Sequence, residues 1–128
     1  MIKIGWGDLE ETFVVMVIRE EWSADEIRGH IENYYTLIQS KQHSVDCVID
    51  VRYAHVPPVN ILSVFMWSAR RIPNNTGKIV VVSRDMLWKR LYQLVASAIG
   101  LMGLDIAFVS SMDDAYALVA KASLQVDS

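Results

Sequence analysis

Residues 45–51 read VDCVIDV, a run of β-branched and apolar side chains with an acid near each end. A strand with one wet face alternates between apolar and polar residues. A run with almost no alternation is a strand buried on both faces, as in a mostly parallel sheet whose crossover helices cover it from above and below. VDCVIDV therefore predicts an interior strand of an α/β domain. Ligands of open α/β sheets bind beyond the carboxyl ends of the strands. The polar residues that leave this strand ahead of Pro57 and Pro58, namely Asp50, Arg52, Tyr53 and His55, are thus the first candidates for a ligand-binding loop.

Upstream of the run, residues 2–6 and 12–18 are strand-like and joined by Gly7-Asp8 and Glu10-Glu11, which predicts a hairpin. Ser23-Ala24-Asp25-Glu26 has the form of a capping box. From there Ile27, Ile31, Tyr34 or Tyr35, and Ile38 recur at helical spacing through about Lys41. Downstream, Pro57-Pro58 suits the start of a helix over about 59–71, and Pro73-Asn74-Asn75-Thr76-Gly77 ends it. A buried strand follows over 78–82, and Ser83 or Asp85 then caps a helix carrying Leu87, Leu91, Leu94, Val95, Ala98 and Ile99, with Gly100 and Gly103 to stop it. Residues 105–109 are the last strand. A helix from Ser111 docks Ala115, Leu118, Val119 and Ala122 before a polar tail, Gln125 to Ser128, that frays. The order is ββαβαβαβα in one domain, 1–128, and right-handed crossovers make it a mixed, mainly parallel sheet with an N-terminal hairpin.

Composition narrows the function. The 128 residues are 52% hydrophobic and 21% charged with a net charge of −3, and basic residues cluster only as Arg70-Arg71 and Lys89-Arg90, so nucleic acid is not an expected partner. The start, MIKIGWGDLEE, lacks the pattern of an export signal, which places the chain in the cytoplasm. The most apolar stretch, 94–104, is too short for a membrane span, which needs roughly 20 residues. Cys47, the sole cysteine, lies inside the central run and reads as a buried hydrophobe. His30, His43 and His55 fall on separate segments without ligand spacing, and no nucleophile elbow or phosphate-cradling glycine pattern occurs. No metal, cofactor or catalytic residue is expected, and the chain is read as a non-enzyme.

The order of elements is carried by the Trp22-Ser23 helix start, Val48-Ile49-Asp50-Val51 with a polar loop after it, Pro73 through Gly77 running into Lys78-Ile79-Val80-Val81-Val82, and Phe108-Val109-Ser110-Ser111 running into Ala115. In this order the chain resembles the STAS and anti-sigma-factor-antagonist domains, particularly the divergent SpoIIAA-like branch. The resemblance implies a regulatory module that binds another protein. It also implies a serine phosphoacceptor at the start of the helix after the central strand, where this chain reads His55-Val56-Pro57-Pro58-Val59-Asn60 and the nearest hydroxyl is Ser63. A phosphoserine switch is therefore not expected. Asp50 stands where the family's strand-ending acid stands, which implies a role in organising loop amides.

Two functions follow from the second and third helices, whose apolar arcs are wider than one core requires. If Ile61, Leu62, Phe65 and Ala69 face the sheet, Val64 and Trp67 do not. If Leu87, Leu91 and Leu94 face it, Trp88 and Tyr92 form an outer stripe. The favoured reading is a partner-binding surface of Asn60, Val64, Trp67, Arg71, Trp88 and Tyr92 for another protein or for a second copy in a homodimer. The alternative is a small apolar-ligand or lipid-binding domain, similar to SEC14-type proteins, that uses Met66, Trp67, Trp88 and Met102. A convex aromatic patch favours the first, a concavity under the helices the second.

Overall fold

The computed structural model describes the backbone of residues 1–55, 60–99 and 105–127, and their side chains except at 95, 98, 99 and 120–127. The Pro57-Pro58 helix start, the Gly100 and Gly103 stop, Met102 and Ser128 lie outside the described residues.

The elements are β1 (Ile2–Trp6), β2 (Phe13–Glu20), α1 (Ala24–Gln39), β3 (Val45–Ala54), α2 (Ile61–Ala69), β4 (Thr76–Val82), α3 (Leu87–Ile99), β5 (Ile106–Val109) and α4 (Met112–Asp127). This is the predicted ββαβαβαβα order of a mixed α/β domain. VDCVIDV forms most of β3, the middle strand of a five-stranded sheet ordered β1-β2-β3-β4-β5. β1 pairs antiparallel with β2, and the remaining pairs are parallel. The tail expected to fray from Gln125 is helical through Asp127.

Local chemistry explains the joints. At the β1–β2 turn the Asp8 carboxylate accepts the Thr12 amide at 2.8 Å and also the Thr12 hydroxyl. The Ser23 hydroxyl accepts the Glu26 amide at 3.1 Å and starts α1. Asn75 Nδ2 donates to the carbonyl oxygens of Ile38 and His43 at 2.7 and 3.1 Å, tying the end of α1 to the loop before β4. Gly77 is required there, because a Cβ would collide with the buried carboxylate of Asp46, whose Oδ1 accepts the Lys78 amide at 2.8 Å.

A parallel sheet whose strands neighbour each other in chain order, built with crossovers of one hand, puts every crossover helix on the same side. Accordingly α1, α2 and α3 share one face, over Val14, Met16, Ile18, Cys47, Val51 and Ile79. α4 alone packs on the other, with Ala115 and Val119 against Val48, Val80 and Val82. β3 is buried on both faces, as its sequence requires, but by three helices on one side and one on the other.

Candidate functional site

A cavity of about 170 Å³ lies between the sheet and α1–α3. Its floor comes from alternate strand residues, among them Met16 and Ile18 of β2, Ile49 and Val51 of β3 and Val81 of β4. Its roof is aromatic: Tyr34 and Tyr35 of α1, Phe65 of α2, Trp88 and Tyr92 of α3. Trp88 stacks on Trp22 with centroids 5.8 Å apart and leans on Phe65 at 6.2 Å, while Tyr92 tilts against Phe108 at 5.7 Å. Rings that brace one another in this way hold a roof open instead of collapsing into the space beneath it.

Polar atoms in this wall are few. The Tyr35 hydroxyl donates to the Ser68 carbonyl at 2.7 Å. The Tyr34 hydroxyl is buried and has no hydrogen-bond partner of normal geometry; its neighbour is the thiol of Cys47, a weak donor and a weak acceptor. Burial pushes the Tyr35 phenol and the Cys47 thiol each up to about 12 and the Tyr34 phenol well above its ordinary value. All three are neutral at physiological pH. The wall thus holds one neutral hydroxyl, that of Tyr34, buried and held by nothing stronger than the Cys47 thiol.

The helix faces expected from the sequence are corrected here. Val64, expected on a partner surface, is fully buried, and Leu62, expected to face the sheet, is 38% exposed. Trp67 packs half-buried against the core, with the Arg71 guanidinium 4.8 Å over its ring. On α3 the phase is reversed: Trp88 and Tyr92 turn inward to the cavity, while Leu87 and Leu94 are 39% and 60% exposed. The cause is shape, since stacking on Trp22 and Phe108 buries large rings that the leucine stripe could not replace. No outer aromatic stripe exists among the described residues, and Asn60 is simply exposed at the start of α2 without a side-chain cap.

The strand-end residues divide. Asp50 is buried and accepts the Arg52 amide at 3.1 Å together with a two-pronged contact from its guanidinium, Nε to Oδ1 and Nη2 to Oδ2, each at 3.0 Å. This pairing raises the already high pKa of Arg52. Among the described residues only the backbone of His55 is engaged, donating to Glu20 and accepting from Trp22 Nε1. No group of three or more metal-ligating side chains comes together among the described residues.

Sequence reading missed the contribution of α1 and β2 to the chamber. The available signal was the Tyr34-Tyr35 pair, where either residue would have satisfied the helical period and both in fact point inward. No family model matches the chain, and no curated protein matches it at a significant level.

Proposed function

We propose that this domain binds a small, mostly apolar molecule carrying one polar group, in the chamber between the sheet and α1–α3, and acts as a binding module without catalysing a reaction. The observation that carries the proposal is the chamber itself. Native interiors are packed to crystal density with few voids larger than a water molecule. Here about 170 Å³ lined by apolar side chains and partly open to solvent leaves those side chains short of packing partners, and an apolar occupant would supply them. The volume is near the ~150 Å³ of an engineered void that accepts benzene and below the ~300 Å³ where drug-sized sites begin, which favours a single ring or a short acyl chain. The Tyr34 hydroxyl, held only by the weakly bonding Cys47 thiol, is the wall group that would turn to the ligand's polar atom.

The test is thermal denaturation and NMR titration with toluene, phenol, indole and hexanoate. Binding raises the melting temperature by mass action, phenol outperforming toluene. Tyr34→Phe is expected to hold or gain up to about 1 kcal/mol of stability, since it removes an unpaired buried hydroxyl, and to abolish the preference for phenol. Absence of any saturable shift at millimolar probe would refute the reading.

The protein-binding alternative moves to a different surface. Leu87 and Leu94, with Met86 53% exposed beside them, form an outer apolar stripe on α3, and this stripe supports a homodimer or a protein partner better than the aromatic set does. Membership among STAS or SpoIIAA-like domains and a cytoplasmic location belong to the same proposal. The element order supports the first, and the second agrees with the absence, among the described residues, of any helix long and apolar enough to cross a membrane.

A further inference from the structure

The carboxyl ends of the parallel strands carry a second feature, on the opposite face from the chamber. The Tyr53 ring is ringed by three guanidiniums: Arg52 at 5.2 Å, Arg84 at 5.8 Å and Arg19 at 5.9 Å from its centroid. They come from three consecutive strands, Arg19 near the end of β2, Arg52 in β3 and Arg84 just beyond β4. A bulge produces the convergence. Between the pairs Val17↔Asp50 and Arg19↔Tyr53, β3 advances three residues while β2 advances two, so Tyr53 is turned to stand beside Arg19. Bulges that re-aim a side chain in this way are common next to binding sites.

Charge at this point is unbalanced. Asp50 neutralises Arg52. Arg19 and Arg84 are exposed and have no carboxylate partner among the described residues, and Glu20, the next residue of β2, makes no ion pair with any of the three. Tyr116 of α4 lies near Arg52. On a chain of net charge −3, two uncompensated guanidiniums thus flank a ring that is 51% exposed. Attraction to an exposed ring offers each cation only about 0.5–1 kcal/mol, and the cations repel one another, so the arrangement gains most when an anion sits among them. Each guanidinium presents a planar fork of N–H donors, which suits an oxyanion.

We propose that Arg19, Arg52 and Arg84, arrayed around Tyr53, form a binding site for a phosphate monoester group, whose double charge matches the two unpaired guanidiniums. The group could belong to a soluble phosphoester or to a lipid headgroup, and the same chemistry serves both. The site does not rest on occupancy of the chamber, and either can fail without the other.

The experiment is calorimetric and NMR titration of the intact chain with inorganic phosphate and phenyl phosphate against chloride at matched ionic strength, and flotation with vesicles containing phosphatidic acid. Saturable binding of phosphate or phenyl phosphate, with shifts at Arg19, Tyr53 and Arg84, is expected. Arg19→Gln and Arg84→Gln should each weaken it roughly tenfold, the usual loss for one charge-assisted contact, with unchanged melting temperature because both side chains are exposed. Arg84→Lys should recover only part of the affinity. Binding by the soluble phosphoesters alone identifies a soluble ligand, and vesicle binding lost in the same variants identifies a headgroup. No saturation above the chloride control, or an affinity in either glutamine variant equal to that of the native chain, would overturn the proposal.

Discussion

On one face of the sheet, three helices and a bracing set of rings line a pocket of about 170 Å³ that is partly open to solvent. On the other, α4 lays Ala115 and Val119 directly against Val48, Val80 and Val82, five residues that are each no more than 1% exposed. The first face uses large side chains and leaves space; at the centre of the second, small ones meet. Small β-branched residues under a helix allow backbone and sheet to approach closely, and that face is suited to holding the fold. The aromatic roof leaves a pocket between its helices and the sheet, and that face has room for another molecule. Closeness and space are divided between two sides of the same strands.

Adjacent residues of β3 give the severest test of this division. Val48→Asp places a carboxylate in the closed face with no room for water, and is expected to lose more than about 4 kcal/mol and unfold the domain. Ile49→Asp aims the same carboxylate at the chamber, where a site of this size admits water at about 30 Å³ per molecule. It should cost clearly less in urea denaturation. Equal losses would mean that the two faces do not differ in their tolerance.

Overpacking gives a smaller contrast with opposite signs. Ala115→Leu adds volume where α4 meets the sheet and should destabilise by about 1–3 kcal/mol. Ala69→Leu adds the same volume at the chamber wall and should stabilise by roughly 0.5–2 kcal/mol while blocking the small probes. A loss of stability in Ala69→Leu would show that the space is not free to be filled.

The smallest effect concerns the amino end of β3. Burial raises the pKa of Asp46, opposed by the Lys78 amide and charge. Its native pKa therefore exceeds that of the unfolded chain, which is near 3.9. Between the two values the folded state binds more protons, so its stability falls as pH rises through that window and the ionised group is a burden at neutrality. Asp46→Asn retains an oxygen for the Lys78 amide. Its melting temperature at pH 7 should equal or exceed that of the native chain, with a flatter profile as pH rises above about 4.

How much of this was legible in the residues depended on whether a segment has one apolar face or two. VDCVIDV could only be an interior strand, the Ser23 cap marks the start of α1, and the alternation of elements led directly to a mainly parallel sheet. α3 was different. Leu87, Leu91 and Leu94 and the pair Trp88 and Tyr92 are both valid helical stripes, and periodicity does not say which one turns inward. That choice is made by Trp22 and Phe108, residues distant in the chain whose rings await partners of matching shape. The chamber was hidden for the same reason, since a void is a property of how stripes meet and belongs to no segment. The arginine cluster was half visible: Arg52 and Tyr53 stood out at a strand end, but only the pairing of three strands and a bulge brings Arg19 and Arg84 to them.

The β1-β2-β3-β4-β5 order also bears on how the chain assembles during synthesis. Each new strand docks on the one made immediately before it, so the sheet extends from the hairpin outward and no early strand waits with an open edge for a late one to be inserted beside it. Each parallel pairing closes only one crossover of about 30 residues, less than an order pairing early strands with late ones would need. The growing edge at any moment is the last strand made, and its partner is the next to emerge from the ribosome, which limits the time available for pairing with another nascent chain at that edge.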